Sequence, residues 1–278
     1  MDLSKPERQG MAVVSVGTKI LFAGGGDNDN GEVTSRVDIY DGSTNTWSTA
    51  ELSKAREYLT ATTLGNKVFF AGGGSWEYNL QGSTVVDIYD NATNSWSTAS
   101  LSEGRMDHTA TVVGNKIYFA GGYNGTASSR IDIFDASTNT WSTSDLLEAK
   151  SSIAGIAAAN KIYWSGGFNS SDTSDKVEIR DLTTGVSSSN CVIPRLGNSA
   201  VIKGDNIVFF TGYEINHPLE GTRFEIYNTT TDTWSTGVLN QKIFDATVIS
   251  VNNTIYVAGG RGTVLGRDPF KQVWKLEF

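Results

Sequence analysis

Apolar and polar positions alternate in short runs along the whole chain. Val37-Asp38-Ile39-Tyr40, Val86-Asp87-Ile88-Tyr89, Ile131-Asp132-Ile133-Phe134, Val177-Glu178-Ile179-Arg180 and Phe224-Glu225-Ile226-Tyr227 are one pattern written five times. A period of two predicts a strand with two unlike faces. A second run is denser and closes on small residues: Phe22-Ala23-Gly24-Gly25, Phe70-Ala71-Gly72-Gly73, Phe119-Ala120-Gly121-Gly122, Trp164-Ser165-Gly166-Gly167, Phe210-Thr211-Gly212 and Val257-Ala258-Gly259-Gly260. The last glycines of these runs fall at 25, 73, 122, 167, 212 and 260, so the intervals run from 45 to 49 residues. A fixed period of this size predicts a repeat architecture.

Each unit reads the same way. A basic residue precedes a strand of small and β-branched residues such as Thr60-Ala61-Thr62-Thr63-Leu64. A tight turn follows: Gly17-Thr18, Gly65-Asn66, Gly114-Asn115, Ala159-Asn160, Gly204-Asp205 or Asn252-Asn253. Gly and Asn supply the positive φ of two-residue hairpin turns. The glycine-ended strand comes second and the alternating strand third. A fourth strand opens on Trp47, Trp96, Trp141 or Trp234, seven residues after Tyr40, Tyr89, Phe134 or Tyr227. That fixed spacing predicts packed ring pairs, with the tryptophans mostly buried.

Four short antiparallel strands, six times over, make a β-propeller. The glycine pair, the later Tyr and the Trp resemble the kelch motif over essentially the whole chain. The resemblance implies an all-β fold: a six-bladed β-propeller of four-stranded antiparallel kelch blades. One domain over 1–278 is expected, with blades at about 8–51, 56–100, 105–145, 150–190, 195–238 and 243–278. Unit four departs from the motif, with Arg180 for Tyr and Ser187 for Trp. Unit five has Thr211-Gly212 for the glycine pair, and unit six stops at Phe278, before a fourth strand. The last blade is therefore incomplete or is closed by the N-terminal tail, Met1 to Lys5.

Composition narrows the function classes. Thirty glycines suit many short strands joined by turns. The formal charge of −8 argues against a general nucleic-acid binder, and the apolar share of 38% is too low and too interrupted for a membrane span. Cys191 alone, with only His108 and His217, supports neither a disulfide nor a convincing metal centre, and no cofactor is expected. No apolar leader follows Met1, so a cytoplasmic location is expected if Met1 is the native start, and an extracellular one if the chain comes from a longer precursor.

Loop spacing picks out a working face. The distance from basic residue to last glycine is 17 in five units: Arg8 to Gly25, Arg56 to Gly73, Arg105 to Gly122, Lys150 to Gly167 and Arg195 to Gly212. Length varies instead between the second and third strands, in loops at 27–35, 75–84, 123–129, 168–175, 213–222 and 261–270. In an up-and-down blade these loops share a face with the start of strand one, and variable loops on a rigid scaffold carry function. Arg8, Arg56, Arg105, Lys150 and Arg195 are expected around that mouth, as a local positive well suited to carboxylates. The kelch resemblance implies such a role through ubiquitin-ligase adaptors, whose arginines at this position contact acidic peptides. The competing expectation is that each arginine pairs with an acid of its own blade, such as Asp38 or Asp87, and closes the blade. Trp76, Tyr123 and Tyr213 add aromatic contact area on this face.

Two functions follow. The first is a non-enzymatic recognition module, monomeric, that binds an acidic segment of a partner protein. The alternative is an enzyme acting on an anionic sugar, resembling the six-bladed kelch sialic-acid mutarotases, with Glu57, Asp107 and His108 as acid–base candidates.

Overall fold

The computed structural model describes residues 3–4, 8–26, 32–75, 81–191, 199–210, 222–241, 243, 246–260 and 271–276. Every regular element among them is a β-strand. The chain divides into two compact units, 1–151 and 152–278.

The first unit holds three four-stranded sheets of blade type. Blade one is β1 (Ala12–Val16), β2 (Lys19–Ala23), β3 (Arg36–Asp41) and β4 (Thr46–Glu51). Blade two is β5 (Thr60–Leu64), β6 (Lys67–Ala71), β7 (Val85–Asp90) and β8 (Ser95–Ser100). Blade three is β9 (Thr109–Val113), β10 (Lys116–Ala120), β11 (Arg130–Asp135) and β12 (Thr140–Asp145). The second unit holds β13 (Ala154–Ala158), β14 (Lys161–Ser165), β15 (Lys176–Asp181) and β16 (Ser187–Cys191) as blade four. Its blade five is β17 (Ser199–Lys203), β18 (Asn206–Phe210), β19 (Thr222–Asn228) and β20 (Thr233–Leu239). Blade six has three described strands: β21 (Thr247–Val251), β22 (Thr254–Ala258) and β23 (Val273–Leu276). Strands neighbour one another in chain order in every sheet. All-β architecture and six antiparallel β-propeller blades are as the repeat predicts.

The core lies in the seams between consecutive blades. Leu21, Val37, Val68, Phe70 and Tyr89 fill one seam of the first unit, and Phe69, Val86, Ile117, Phe119 and Phe134 fill another. In the second unit Tyr163, Val177, Ile207, Phe209 and Tyr227 play the same part.

Cross-strand register sets the ring pairs. Tyr40 sits opposite Trp47, Tyr89 opposite Trp96, Phe134 opposite Trp141 and Tyr227 opposite Trp234. Their centroids lie 5.2, 5.1, 5.1 and 4.8 Å apart. The tryptophans are mostly buried, as expected, though none is fully enclosed: Trp47 is 36% exposed and the other three less. The fourth strand is the outer edge of its blade, so the indole packs against the third-strand ring and a second-strand ring, Phe22, Phe70, Phe119 or Phe209, and keeps part of its surface open to water. Blade four lacks the pair. There the Arg180 guanidinium lies 5.4 Å from the Trp164 ring centroid, and Arg180 Nε donates to Ser187 Oγ at 3.1 Å. A cation over an indole face takes the place of two stacked rings.

The glycine pairs bring neighbouring blades into backbone contact. A Cβ on Gly72 would lie 2.4 Å from the Arg105 carbonyl oxygen, and one on Gly24 would lie 2.4 Å from that of Arg56. The turn glycine Gly65 has nearly the same φ, +60° against +61° for Gly72, with nothing within 4 Å of its missing Cβ. Gly72→Ala therefore carries both backbone strain and a steric clash, Gly65→Ala only strain. Chemical denaturation should show a loss of about 3 kcal/mol or more for Gly72→Ala and about 1 kcal/mol for Gly65→Ala. Equal losses would mean that blade contact is not what the glycine serves.

Candidate functional site

The basic residue ahead of strand one is the hub of each blade in the first unit. The Arg56 carbonyl accepts from the Gly25 amide of the preceding blade at 3.0 Å, and the Arg105 carbonyl from Gly73 at 3.0 Å. The side chain turns inward. Arg56 Nη2 donates to Asp87 Oδ2 at 2.7 Å and to the Phe70 carbonyl at 3.0 Å. Arg105 Nη2 pairs with Asp132 Oδ2 and also donates to the Phe119 carbonyl at 3.2 Å. Arg8 Nη2 pairs with Asp38 Oδ2, while its Nη1 reaches the Arg36 carbonyl at 3.1 Å. The other carboxylate oxygen of each acid takes a backbone amide, from Ser4 for Asp38 (3.3 Å), Ser53 for Asp87 (3.1 Å) and Ser102 for Asp132 (2.9 Å). Ser4 thus does in the N-terminal tail what Ser53 and Ser102 do just beyond β4 and β8.

This corrects the expectation of a positive well. Arg56 and Arg105 are fully buried, Lys150 is 1% exposed and Arg8 is 8% exposed. Lys150 Nζ lies 4.0 Å from Glu148 Oε2. Alternation in the third strand points Asp38, Asp87 and Asp132 inward beneath the arginines, so each charge is matched inside its own blade. Burial lowers the pKa of Arg56, and the Asp87 charge opposes that shift. His108 is likewise removed from the surface, at 7% exposure. Arg195, Trp76 and Tyr213 lie outside the described residues.

Two residues beyond Arg8, Arg56, Arg105 and Lys150 the backbone turns left-handed: φ is 61° at Gly10, 53° at Tyr58, 51° at Asp107 and 53° at Ser152. Within the first unit these positions are tied across blades. The Tyr58 amide donates to the Gly10 carbonyl at 2.8 Å, and the Asp107 amide to the Tyr58 carbonyl at 3.2 Å. The segments also bridge to the loops, Gln9 with Gly26, Glu57 with Gly74 and Met106 with Tyr123. Strand-one starts and the loops between strands two and three therefore share a face. Asp107 and Tyr123 lie on it half-buried, as does Tyr58, which side-chain chemistry alone did not single out. The signal for Tyr58 is positional, two places after an arginine. Burial raises the Asp107 carboxyl's pKa.

Beside blade three this face holds a cleft of about 400 Å³, bounded by Glu103, Asn124, Thr126, Ser128, Arg130 and Asp145. Glu103 is fixed by Arg105 Nη1 at 3.3 Å and by the Ser128 hydroxyl. Arg130 and Asp145 pair at 3.5 Å on its wall. Glu57, Asp107 and His108 do not line the cleft, so the acid–base candidates and this cavity are separate features.

Residues 3–167, more than half of the chain, match the KLHDC2/KLHL20/DRC7 Kelch-repeats domain. The chain belongs to the kelch-repeat family. No curated protein matches it. Kelch domains are commonly protein-interaction modules, and protein binding is the coarse function this membership carries.

The kelch blade's Arg–Asp pair is a stability element. Arg56→Ala leaves Asp87 buried without its cation and should cost about 3–5 kcal/mol. The double change Arg56→Met with Asp87→Leu should recover most of that loss, because two apolar groups need no counter-charge. Urea denaturation of the three variants measures both. A single variant as stable as wild type would restore the arginine to the exposed-charge role.

Proposed function

We propose that this kelch domain is a non-enzymatic recognition module whose loop-bearing face binds a segment of a partner protein. Tyr58, Asp107, Tyr123 and the cleft bounded by Glu103 and Asn124 form the contact in the first unit. The observation that carries this is the cross-blade backbone chain through Gly10, Tyr58 and Asp107. It holds two large side chains in left-handed backbone on the loop face. Strain of this kind persists where surrounding structure over-determines it, and rigid presentation lowers the ordering cost of binding.

The partner's chemistry follows from what the face still offers. Arg8, Arg56 and Arg105 are matched by Asp38, Asp87 and Asp132, so an acidic segment loses the groups that suited it. Asp107, partly desolvated, and Glu103, held by two donors with its side chain 42% exposed, favour a segment that brings donors and positive charge. Complementary charge of this kind chiefly sets specificity and association rate.

Fluorescence anisotropy with labelled peptides of equal length, one lysine-rich and one glutamate-rich, tests the reading. The lysine-rich peptide should bind, and more weakly as salt rises. Asp107→Asn and Glu103→Gln should each reduce its affinity by about five- to tenfold with the melting temperature held, since Asn tolerates left-handed backbone. Preference for the glutamate-rich peptide would overturn the charge assignment. Retained affinity in both variants would overturn the site.

A further inference from the structure

Among the described residues at its position in the repeat, His108 stands where the others carry an apolar side chain. Three residues beyond the basic residue, units one, two and four carry Met11, Leu59 and Ile153, and unit six, with Ile243 in place of the basic residue, carries Ala246. Leu59, Ile153 and Ala246 are buried, and Asn198 of unit five lies outside the described residues. In blade two the Leu59 side chain packs on the missing Cβ of Gly24, with Cδ2 3.0 Å from where that atom would be. His108 takes the same slot one blade on, its Cε1 2.5 Å from the corresponding point of Gly72. The Phe119 ring of β10 closes the slot at 6.2 Å between centroids. Neither ring nitrogen has a hydrogen-bond partner. An unpaired buried polar group is costly, and an apolar side chain would fill this slot without that cost.

We propose that His108 makes the seam between blades two and three acid-sensitive, so that the segment presenting Tyr58 and Asp107 loosens as the imidazole takes up a proton. The bearing on recognition rests on the reading of that face given above. The charges that act on His108 are positive and oppose an imidazolium. Arg105 on its own segment and Arg56 on the preceding one are both cationic neighbours. The acids nearest those arginines are engaged: Asp132 of β11 and Glu103 hold Arg105, and Asp87 of β7 holds Arg56. Asp107, next in the chain, is held towards its neutral form by burial, which raises its pKa. β10 presents the Phe119 ring, and β6 leads into Gly72, which has no side chain. Burial first, then Arg105 and Arg56, hold the His108 pKa well below its ordinary 6.5. A base with its folded pKa depressed stabilises fully above its unfolded value. That stability is lost as pH falls below about 6.5, towards the folded value, because the unfolded chain takes up the proton first.

Thermal unfolding of wild type, His108→Leu and His108→Gln between about pH 8 and about pH 5 tests the proposal. The wild-type melting temperature should fall more steeply below about pH 6.5 than that of either variant, the folded-to-unfolded ratio diverging by up to about tenfold per pH unit. His108→Leu copies Leu59; His108→Gln keeps a polar side chain without the proton and decides the matter if the leucine variant does not fold. Parallel curves for wild type and both variants overturn the proposal. A glutamine variant as acid-sensitive as wild type overturns it as well, since the imidazole would not be the cause. Hydrogen exchange at the Asp107 amide supplies the local readout. Corrected for intrinsic rate, its protection should drop at acid pH in wild type and hold in His108→Leu; a drop in both overturns it. No partner enters these measurements, so a failed peptide-binding test leaves this result standing, and the reverse holds too.

Discussion

The first unit depends on a buried arginine bonded in two directions at once. Its carbonyl takes the second glycine amide of the blade before it. Its guanidinium takes the aspartate and a strand carbonyl of its own blade. That aspartate in turn accepts the serine amide that follows the preceding blade's outer strand. One residue therefore ties the inner strand, the third strand and the neighbouring blade together. Removing one partner of such a pair leaves a buried charge exposed to no water, which is why the arrangement tolerates replacement of both partners better than loss of one.

The glycine pair and the left-handed residue two places beyond the arginine complete the joint. The first needs no Cβ because the next blade's carbonyl occupies that space, and the second lets the chain hand its amide to the neighbouring blade. Apolar packing fills the rest of each seam. Blade four shows the tolerance of this plan: an arginine over an indole does the work of stacked aromatics, because a flat cation and a flat ring cover the same surface.

These joints leave the loop face as the adaptable part. Loops differ in length from blade to blade while the arginines beneath them are fixed, so variation in the loops does not disturb the scaffold. Among the described residues at its position in the repeat, His108 is the exception, a polar side chain in an otherwise apolar joint, set directly beside one of the residues that the face presents.

The sequence by itself determined the architecture. Period-two alternation, turn pairs and the recurring glycines are local signals repeated five or six times, and each repeat supports the others, so strand order and blade type were legible without coordinates. Tyr123 and Asp107 were legible as face residues from loop spacing. The fate of the arginines was not. Whether a cation ahead of strand one points to solvent or beneath the blade depends on where Asp38, Asp87 and Asp132 come to lie, 27 to 31 residues further along the chain. How much of each tryptophan stays open to water was hidden for the same reason, since the edge position of the fourth strand is a property of the sheet. Only the tertiary structure decided these points, because burial and charge pairing arise from contacts between strands and blades, which no single stretch of sequence contains.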